Sequence, residues 1–425
     1  MKKFFLFASA ALVLASCSSE AEEAVIKPNE TPEEEVLELT EIKLGAGAPT
    51  ASAETRAFVD IAGTFDDTKV GIFGVNENGG ATNNDWSDYE DPNNMNIAKE
   101  NAVILFNEPA TINGNTVTFD RINDNEIPTN KFYFPRTNNN NYGYTFLGYY
   151  PKVDDGNVTP SAENIVVEGT FDGTQDIIAG KAPTATPVVN SPVGYNAKYI
   201  RDYRNDPAVN SGSPTYPQID IKFTHMTSKI IVKLQKKANY IQQMCDVYAA
   251  WFDVNNKYNI TFVKGNNSAE YALTFVGDGV NKAYAIGGGE FSDSKAYEVG
   301  DVVKYQGTYY EFTQPHSAGI WSISQVRTFT PKQPVDDPSG ELGFPIFIEP
   351  DPKDNGLTAT KKLYLVLNDD IKDEKEVTVT SPANGFEAGK AYTVIVSING
   401  PEEISVTATI TNWVDGGTID DGVEI

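Results

Sequence analysis

Apolar residues along this chain recur mostly at a spacing of two. In Ser228–Gln235, Ile230, Val232 and Leu234 alternate with Lys229, Ile231 and Lys233. Near the C-terminus, Ile404, Val406, Ala408 and Ile410 alternate with Ser405, Thr407, Thr409 and Thr411. A two-residue period places one set on each face of an extended strand. Short apolar runs recur at Val70–Val75, Ala102–Phe106, Lys131–Phe134, Tyr142–Tyr150, Tyr258–Val263, Tyr271–Val276, Leu363–Leu367, Val377–Thr380 and Tyr392–Ile398. Gly and Pro punctuate them, and Asn113-Gly114 inside Thr111–Phe119 is a hairpin-turn pair. No long stretch has helical periodicity. A short helix fits only Lys236–Val254, through Ala238, Ile241, Met244, Val247 and Ala250. Thr184–Pro217, rich in Pro, Asn and Ser, reads as a linker. The pattern predicts an all-β chain divided into two sandwiches of similar size.

The N-terminus follows another logic. Lys2-Lys3 precede an apolar run from Phe4 to Ala15, and Leu14-Ala15-Ser16 lead to Cys17. That is the layout of a secretory signal, and the run is too short to span a bilayer. A cysteine after small residues resembles a lipobox, in which the thiol is acylated and becomes the new N-terminus. Residues 18–35 read as a solvated tether, with Glu20, Glu22 and Glu23 just after the cysteine. Val36–Leu44 reads as a strand, Leu37 and Leu39 changing parity to Ile42 and Leu44. The small-residue stretch Gly45–Thr55 ends at Arg56-Ala57, and Arg56 is the only arginine before Arg121. One basic residue in an exposed loop is a good protease site.

Composition removes several functions. The 425 residues carry a net charge of -26, which repels a phosphate backbone and argues against nucleic acid as a partner. Cys17 and Cys245 are the only cysteines, so a lipidated Cys17 leaves no internal disulfide. His225 and His316 lie in unrelated contexts, and no Gly-x-Ser-x-Gly, HExxH, P-loop or CxxC pattern is present. Asn76–Asp91 and Asp253–Asn259 lack the order of a calcium loop and read as turns. No catalytic residue, metal site or cofactor is expected, and His225 reads as structural.

The order of the local motifs resembles that of the fimbrillins, subunits of type V pili. The motifs are the lipobox at Cys17, Thr55-Arg56-Ala57-Phe58, Val70-Gly71-Ile72-Phe73 and Tyr144–Pro151. They continue with Asp176-Ile177-Ile178-Ala179-Gly180, Phe223–Ile230, Phe386–Tyr392 and Ile404–Trp413. The resemblance implies two tandem transthyretin-like β-sandwiches, 57–215 and 216–425, after a signal (1–17) and a leader with a capping strand (18–56). It also implies a route. The lipoprotein precursor reaches the outer membrane, a trypsin-like, Arg-specific protease cuts between Arg56 and Ala57, and Val36–Leu44 leaves with the leader. The opened groove accepts a strand from another pilus subunit, donated from within Ile404–Ile425 (Ile404, Val406, Ala408, Ile410, Trp413), and the product is an extracellular fimbrium.

Two features modify that expectation. Trp413 breaks the alternation, and the tail holds Gly416, Gly417, Asp420, Asp421 and Gly422, so it is a short and polar donor. This favours an accessory or tip position. Residues 293–330 form an insert in the second domain that resembles a chitin-binding-type carbohydrate-binding module, a small three-stranded β unit. The resemblance lies in Tyr297-x-x-Gly300-Asp301-x-Val303-x-Tyr305-x-Gly307-x-x-Tyr310 and then Trp321. It implies a glycan or surface ligand met by Tyr297, Tyr305, Tyr309, Tyr310 and Trp321. The aromatic pair that sugar-binding members carry before the proline is replaced around Phe312 and Thr313. The alternative reading is a permanently anchored surface lipoprotein that binds glycans or a protein partner. A secreted glycan-active enzyme is a third class, for which no residue can be nominated.

Overall fold

A computed structural model describes residues 39–47, 68–76, 85–89, 102–113, 116–120, 130–135, 142–183, 194–206, 216–217, 219–238, 240, 242–264, 270–340, 343–352, 360–368, 374–382, 384–400 and 403–411. The first elements are β1 (Leu44–Gly47), β2 (Thr68–Asn76), β3 (Val103–Asn113), β4 (Thr116–Phe119) and β5 (Tyr144–Tyr150). Next come β6 (Val158–Pro160), β7 (Asn164–Thr170), β8 (Ile178–Lys181), helix α1 (Ala197–Asn205) and β9 (Ile219–His225). β10 (Ser228–Lys236), a short helix α2 (Gln242–Cys245), β11 (Val247–Val263) and β12 (Glu270–Ile286) follow. The chain continues through β13 (Val302–Tyr305), β14 (Thr308–Phe312), β15 (Val326–Thr328), β16 (Phe344–Ile348) and β17 (Asp351–Pro352). It ends with β18 (Thr360–Leu367), β19 (Lys375–Thr380), β20 (Gly385–Phe386), β21 (Ala391–Gly400) and β22 (Glu403–Thr411).

The chain is nearly all β, as the alternation predicts. The arrangement differs from two like sandwiches. The first half closes into a barrel in the order β1-β4-β3-β2-β5-β8-β9. β1 closes it: Leu44 lies opposite Val117 of β4 in an antiparallel pair, while Leu44–Gly47 run parallel to Ile219–Lys222 of β9. Just before β1, Ile42 N–H donates to Phe132 O (2.8 Å) and Phe134 N–H donates to Thr40 O (3.0 Å). Ile42, Leu44 and Ala46 point into a core with Ile72, Phe132, Phe146 and Phe223. The strand expected at Val36–Leu44 therefore sits later, at Leu44–Gly47, because Ile42, Leu44 and Ala46 hold one parity. Residues 36–38 lie outside the described residues. Gly148 lets the barrel wall close: a Cβ there would stand 2.8 Å from two Phe223 ring carbons.

The second half has one sheet ordered β16-β10-β21-β22 and another ordered β19-β18-β11-β7-β6, with β12 paired to β11. β10 buries Ile230, Val232 and Leu234 and turns Lys229, Ile231 and Lys233 outward, as its alternation predicts. β11 is 17 residues long. Its first part pairs with β18, and its last part, Lys257–Val263, pairs with Thr170–Asn164 of β7. At about 3.3 Å per residue such a strand outruns one sandwich. The two halves consequently share a core in which Phe73, Tyr149 and Val167 belong with Phe262, Ile230 and Val394.

Two local expectations also shift. The segment read as a linker contains α1, whose N-cap Asn196 accepts from Tyr199 N–H (2.7 Å) and which buries Tyr199 and Ile200. The helix expected within Lys236–Val254 shrinks to α2, because Val247, Ala249 and Ala250 enter β11 with buried side chains. Where β9 passes into β10, the buried Asp176 carboxylate accepts from His225 Nδ1 and from the Thr227 hydroxyl, and Met226 N–H donates to Ile177 O (2.8 Å). His225 is thus a structural tie.

Candidate functional site

The insert leaves the sandwich after β12 and forms a sheet ordered β13-β14-β15. Its β13–β14 hairpin turns at Gln306-Gly307, both with positive φ (51° and 83°), the signature of a two-residue type I′ turn. Inside, Tyr297, Val303 and Phe312 are buried. The Tyr297 ring stacks on Phe312 at 4.8 Å, and its hydroxyl accepts from Ser292 N–H at 2.8 Å. His316 Nδ1 donates to Gln325 Oε1 (2.6 Å), which fixes the loop before β15.

An aromatic platform covers this small core. Trp321 stacks on Tyr305 with ring centres 4.2 Å apart and planes 14° apart. Tyr310 and Phe291 meet Trp321 edge-on at 5.0 and 5.1 Å. Phe291, Tyr305 and Trp321, with Ser292, Asp293 and Ile320, line an open depression of about 500 Å³. Ile320 is 86 % exposed, the most exposed large apolar side chain among the described residues. Flat rings with a negative face suit the C–H groups of a pyranose, and Asp293 and Ser292 supply polar partners at the rim.

The five aromatics expected to meet a glycan therefore separate. Tyr305, Tyr310 and Trp321 form the half-buried platform. Tyr297 is core, and Tyr309 is buried at the seam with the sandwich, 5.7 Å from Tyr248. Burial there pushes the Tyr309 phenol up to about 12, helped by the negative charges of Glu290 and Glu374. The seam fixes the insert at both ends. Lys304 N–H donates to Gly289 O (2.8 Å), Phe329 N–H donates to Tyr309 O (2.9 Å), and Lys332 and Val247 exchange two backbone bonds of 2.8 Å. Sequence reasoning missed Phe291 and Ile320. Phe291 lies just ahead of the expected insert, and a lone exposed isoleucine has no periodic signal.

Were the platform to hold chitin, Trp321→Ala should lower retention on the insoluble polymer about tenfold, the value of about 1.4 kcal/mol of lost stacking and contact area. The principal melting transition should stay in place, because Trp321 packs on the insert core and not on the shared core. Pull-down and a thermal scan would read both.

The other candidate positions lie elsewhere. Cys17, Arg56, Ala57 and Trp413 fall outside the described residues. Ile404, Val406 and Ala408 of β22 pack half-buried against the shared core, and Ile410 pairs in register with Tyr392. β22 is the edge of its sheet. Among the described residues no group of three His, Cys, Asp or Glu side chains could hold a metal ion, and no helix is long and apolar enough to cross a membrane.

Residues 290–326 match the family model of carbohydrate-binding module family 5/12. The match covers Phe291, the three platform rings and the whole of β13 and β14. A second model, the prokaryotic membrane lipoprotein lipid attachment site, matches residues 1–18 and so includes Cys17. No curated protein matches the chain. Several solved bacterial structures are similar to it. A fimbrial protein from Bacteroides vulgatus ATCC 8482 is 13 % identical, covers 88 % of this chain and 99 % of its own, and gives a TM-score of 0.36. A fimbrial assembly protein from Parabacteroides distasonis ATCC 8503 is 10 % identical, with 88 % and 100 % covered and a TM-score of 0.33. A protein from Bacteroides uniformis ATCC 8492, named for cell adhesion, is 13 % identical, with 88 % and 98 % covered and a TM-score of 0.40.

Proposed function

We propose that this protein is a pilus subunit made as an outer-membrane lipoprotein precursor, assembled by strand exchange after cleavage at Arg56–Ala57, and placed as an accessory or tip adhesin. The observation that carries this reading is β1. It precedes Arg56 and completes the barrel between β4 and β9. A cut at Arg56 would release lipid and β1 together. Two strand edges and the sites of Ile42, Leu44 and Ala46 would then stand open, a slot suited to another subunit's strand. Before the cut β1 is intramolecular, and its high effective concentration excludes a competitor. The insert would face outward with its aromatic platform and bind glycan.

A second reading is favoured by β22. It pairs with β21 from Ala391↔Thr411 to Gly400↔Glu403 and its apolar residues are already packed. A donor would have to leave that place. A permanently anchored surface lipoprotein, binding glycans through the insert, needs no such release.

Limited digestion of the lipid-free precursor with an Arg-specific protease separates the two. Strand exchange predicts a new N-terminus at Ala57, and then, on warming, a ladder of oligomers that survives unboiled gel electrophoresis. Quantitative nicking at Arg56 with only monomer on the gel would sink the exchange reading.

A further inference from the structure

A cleft of about 760 Å³ lies where the insert meets the sandwich and shares only Ser292 with the depression at the aromatic platform. One wall is the sandwich, with Trp251, Lys282 and Tyr284 from β11 and β12; the other is the insert, with Lys304 and Tyr309; Gly287–Gly289 form the floor. The size falls in the ordinary range for a small-molecule site, about 300–1,000 Å³.

Most of its charges have partners within the protein. Lys282 donates to Glu374 (3.0 Å) and Lys304 pairs with Glu290 (3.8 Å). Asp172 accepts from the backbone and hydroxyl of Thr174 (2.9 and 2.6 Å), and Asp301 accepts from Glu298 N–H (2.9 Å). Lys295, exposed, sits over the Tyr297 ring at 5.6 Å. An anionic ligand would meet only Lys295 without breaking a pair, in a chain of net charge -26, and Asp172 and Asp301 already spend their oxygens on local donors.

What the walls offer instead is uncharged donors. The Trp251 indole N–H is buried and has no hydrogen-bond partner among the described residues, although one face of the ring stacks on Tyr364 and Lys282 lies over the ring at 4.0 Å. A buried donor left unmade costs about 1–3 kcal/mol, but with Tyr364 on the ring and Lys282 over it a ligand oxygen reaches this one only if Lys282 swings aside. Burial raises the phenols of Tyr284 and Tyr309, which therefore stay protonated and able to donate at any physiological pH.

We propose that this cleft is a second ligand site, which takes a short, uncharged oligosaccharide whose hydroxyl or acetamido oxygens accept from Tyr284 and Tyr309. The ligand class rests on the glycan reading of the insert; the site itself does not. The two surfaces would let the insert hold one glycan on its outer platform and one against the sandwich.

Gly289 gives a clean block. Its φ is ordinary, and a Cβ there would lie 3.6 Å from the Tyr284 hydroxyl, in normal contact. Gly289→Leu thus fills the cleft without straining the backbone. The experiment is calorimetric titration of the full chain with chitotetraose, cellotetraose and mannotetraose, using wild type, Gly289→Leu and Trp321→Ala, each checked by its melting curve. Thr174→Tyr, from the exposed rim, repeats the block should Gly289→Leu fold poorly. We expect wild type to show two binding events for one of these sugars. The cleft variant should weaken one by more than about tenfold and leave the other, and Trp321→Ala should do the reverse. Unchanged binding in both cleft variants, with loss in Trp321→Ala, overturns the cleft and keeps the platform. Loss confined to the cleft variants keeps the cleft and overturns the platform. No binding of any of the three sugars overturns both.

Discussion

Replacing Ile42 and Leu44 together with alanine is expected to open the barrel of the precursor. Both side chains are buried in the barrel core, and each such truncation costs about 2–5 kcal/mol. Whole domains are stable by only about 5–15 kcal/mol, so the pair approaches the total. The loss is larger than for an edge strand because β1 has two neighbours, and a loosened β1 exposes edges on β4 and β9 at once. Urea unfolding followed by circular dichroism should show the drop, and dye binding should report the exposed apolar slot. In a chain cut at Arg56 and stripped of its leader the wild type should show the same loss, since β1 has then left with Ile42 and Leu44. A double variant within about 1 kcal/mol of wild type would show that β1 does not close the barrel in solution.

The second large effect is expected at Asp176. Asp176→Ala leaves His225 Nδ1 and the Thr227 hydroxyl without the carboxylate they now bond, in a place closed to water. Each stranded donor costs about 1–3 kcal/mol. The damage should spread, because the cluster fastens β8 to the turn where the chain passes from the barrel to β10. Thr227→Val removes one donor and leaves only Asp176 Oδ1 short of a bond, so it should cost about 1–3 kcal/mol, less than the two stranded donors of Asp176→Ala. Equal losses from the two variants would mean that Asp176 acts on its neighbours in some other way.

Much of the fold is legible in the residues. The alternation of Ser228–Gln235 gives the inward face of β10 side chain by side chain, and Tyr144–Tyr150 marks β5 because Pro151 ends it. The spacing Tyr297, Gly300-Asp301, Tyr305, Gly307, Tyr310 locates the insert, since turn glycines and core aromatics must sit at those intervals. What fails to show is pairing across long separations. Nothing local in Asn164–Thr170 says that it will join Lys257–Val263, or that Leu44–Gly47 will lie between β4 and β9. α1 is hidden because nine helical residues sit in a segment dominated by Pro, Asn and Ser. Among the aromatics, Tyr309 and Tyr310 are adjacent and of one type, yet one fills the seam and the other edges the platform. Strand parity separates them, and parity alone does not say which side will be covered.

The seam has a mechanical side. The insert is joined to the sandwich by two strands of chain and braced by Tyr309 against Tyr248, with Phe329 set into the shared core. On the entry side the described chain runs from β12 into the insert through Gly287–Gly289, so a pull on the platform passes into the β11–β12 ladder. That ladder runs from Val263↔Glu270 to Ala250↔Ile286, and force along it is carried by many backbone bonds in parallel. The insert is braced firmly on the sandwich, and in the adhesive role proposed above a load on a platform-bound glycan would break the ligand contact before the mounting.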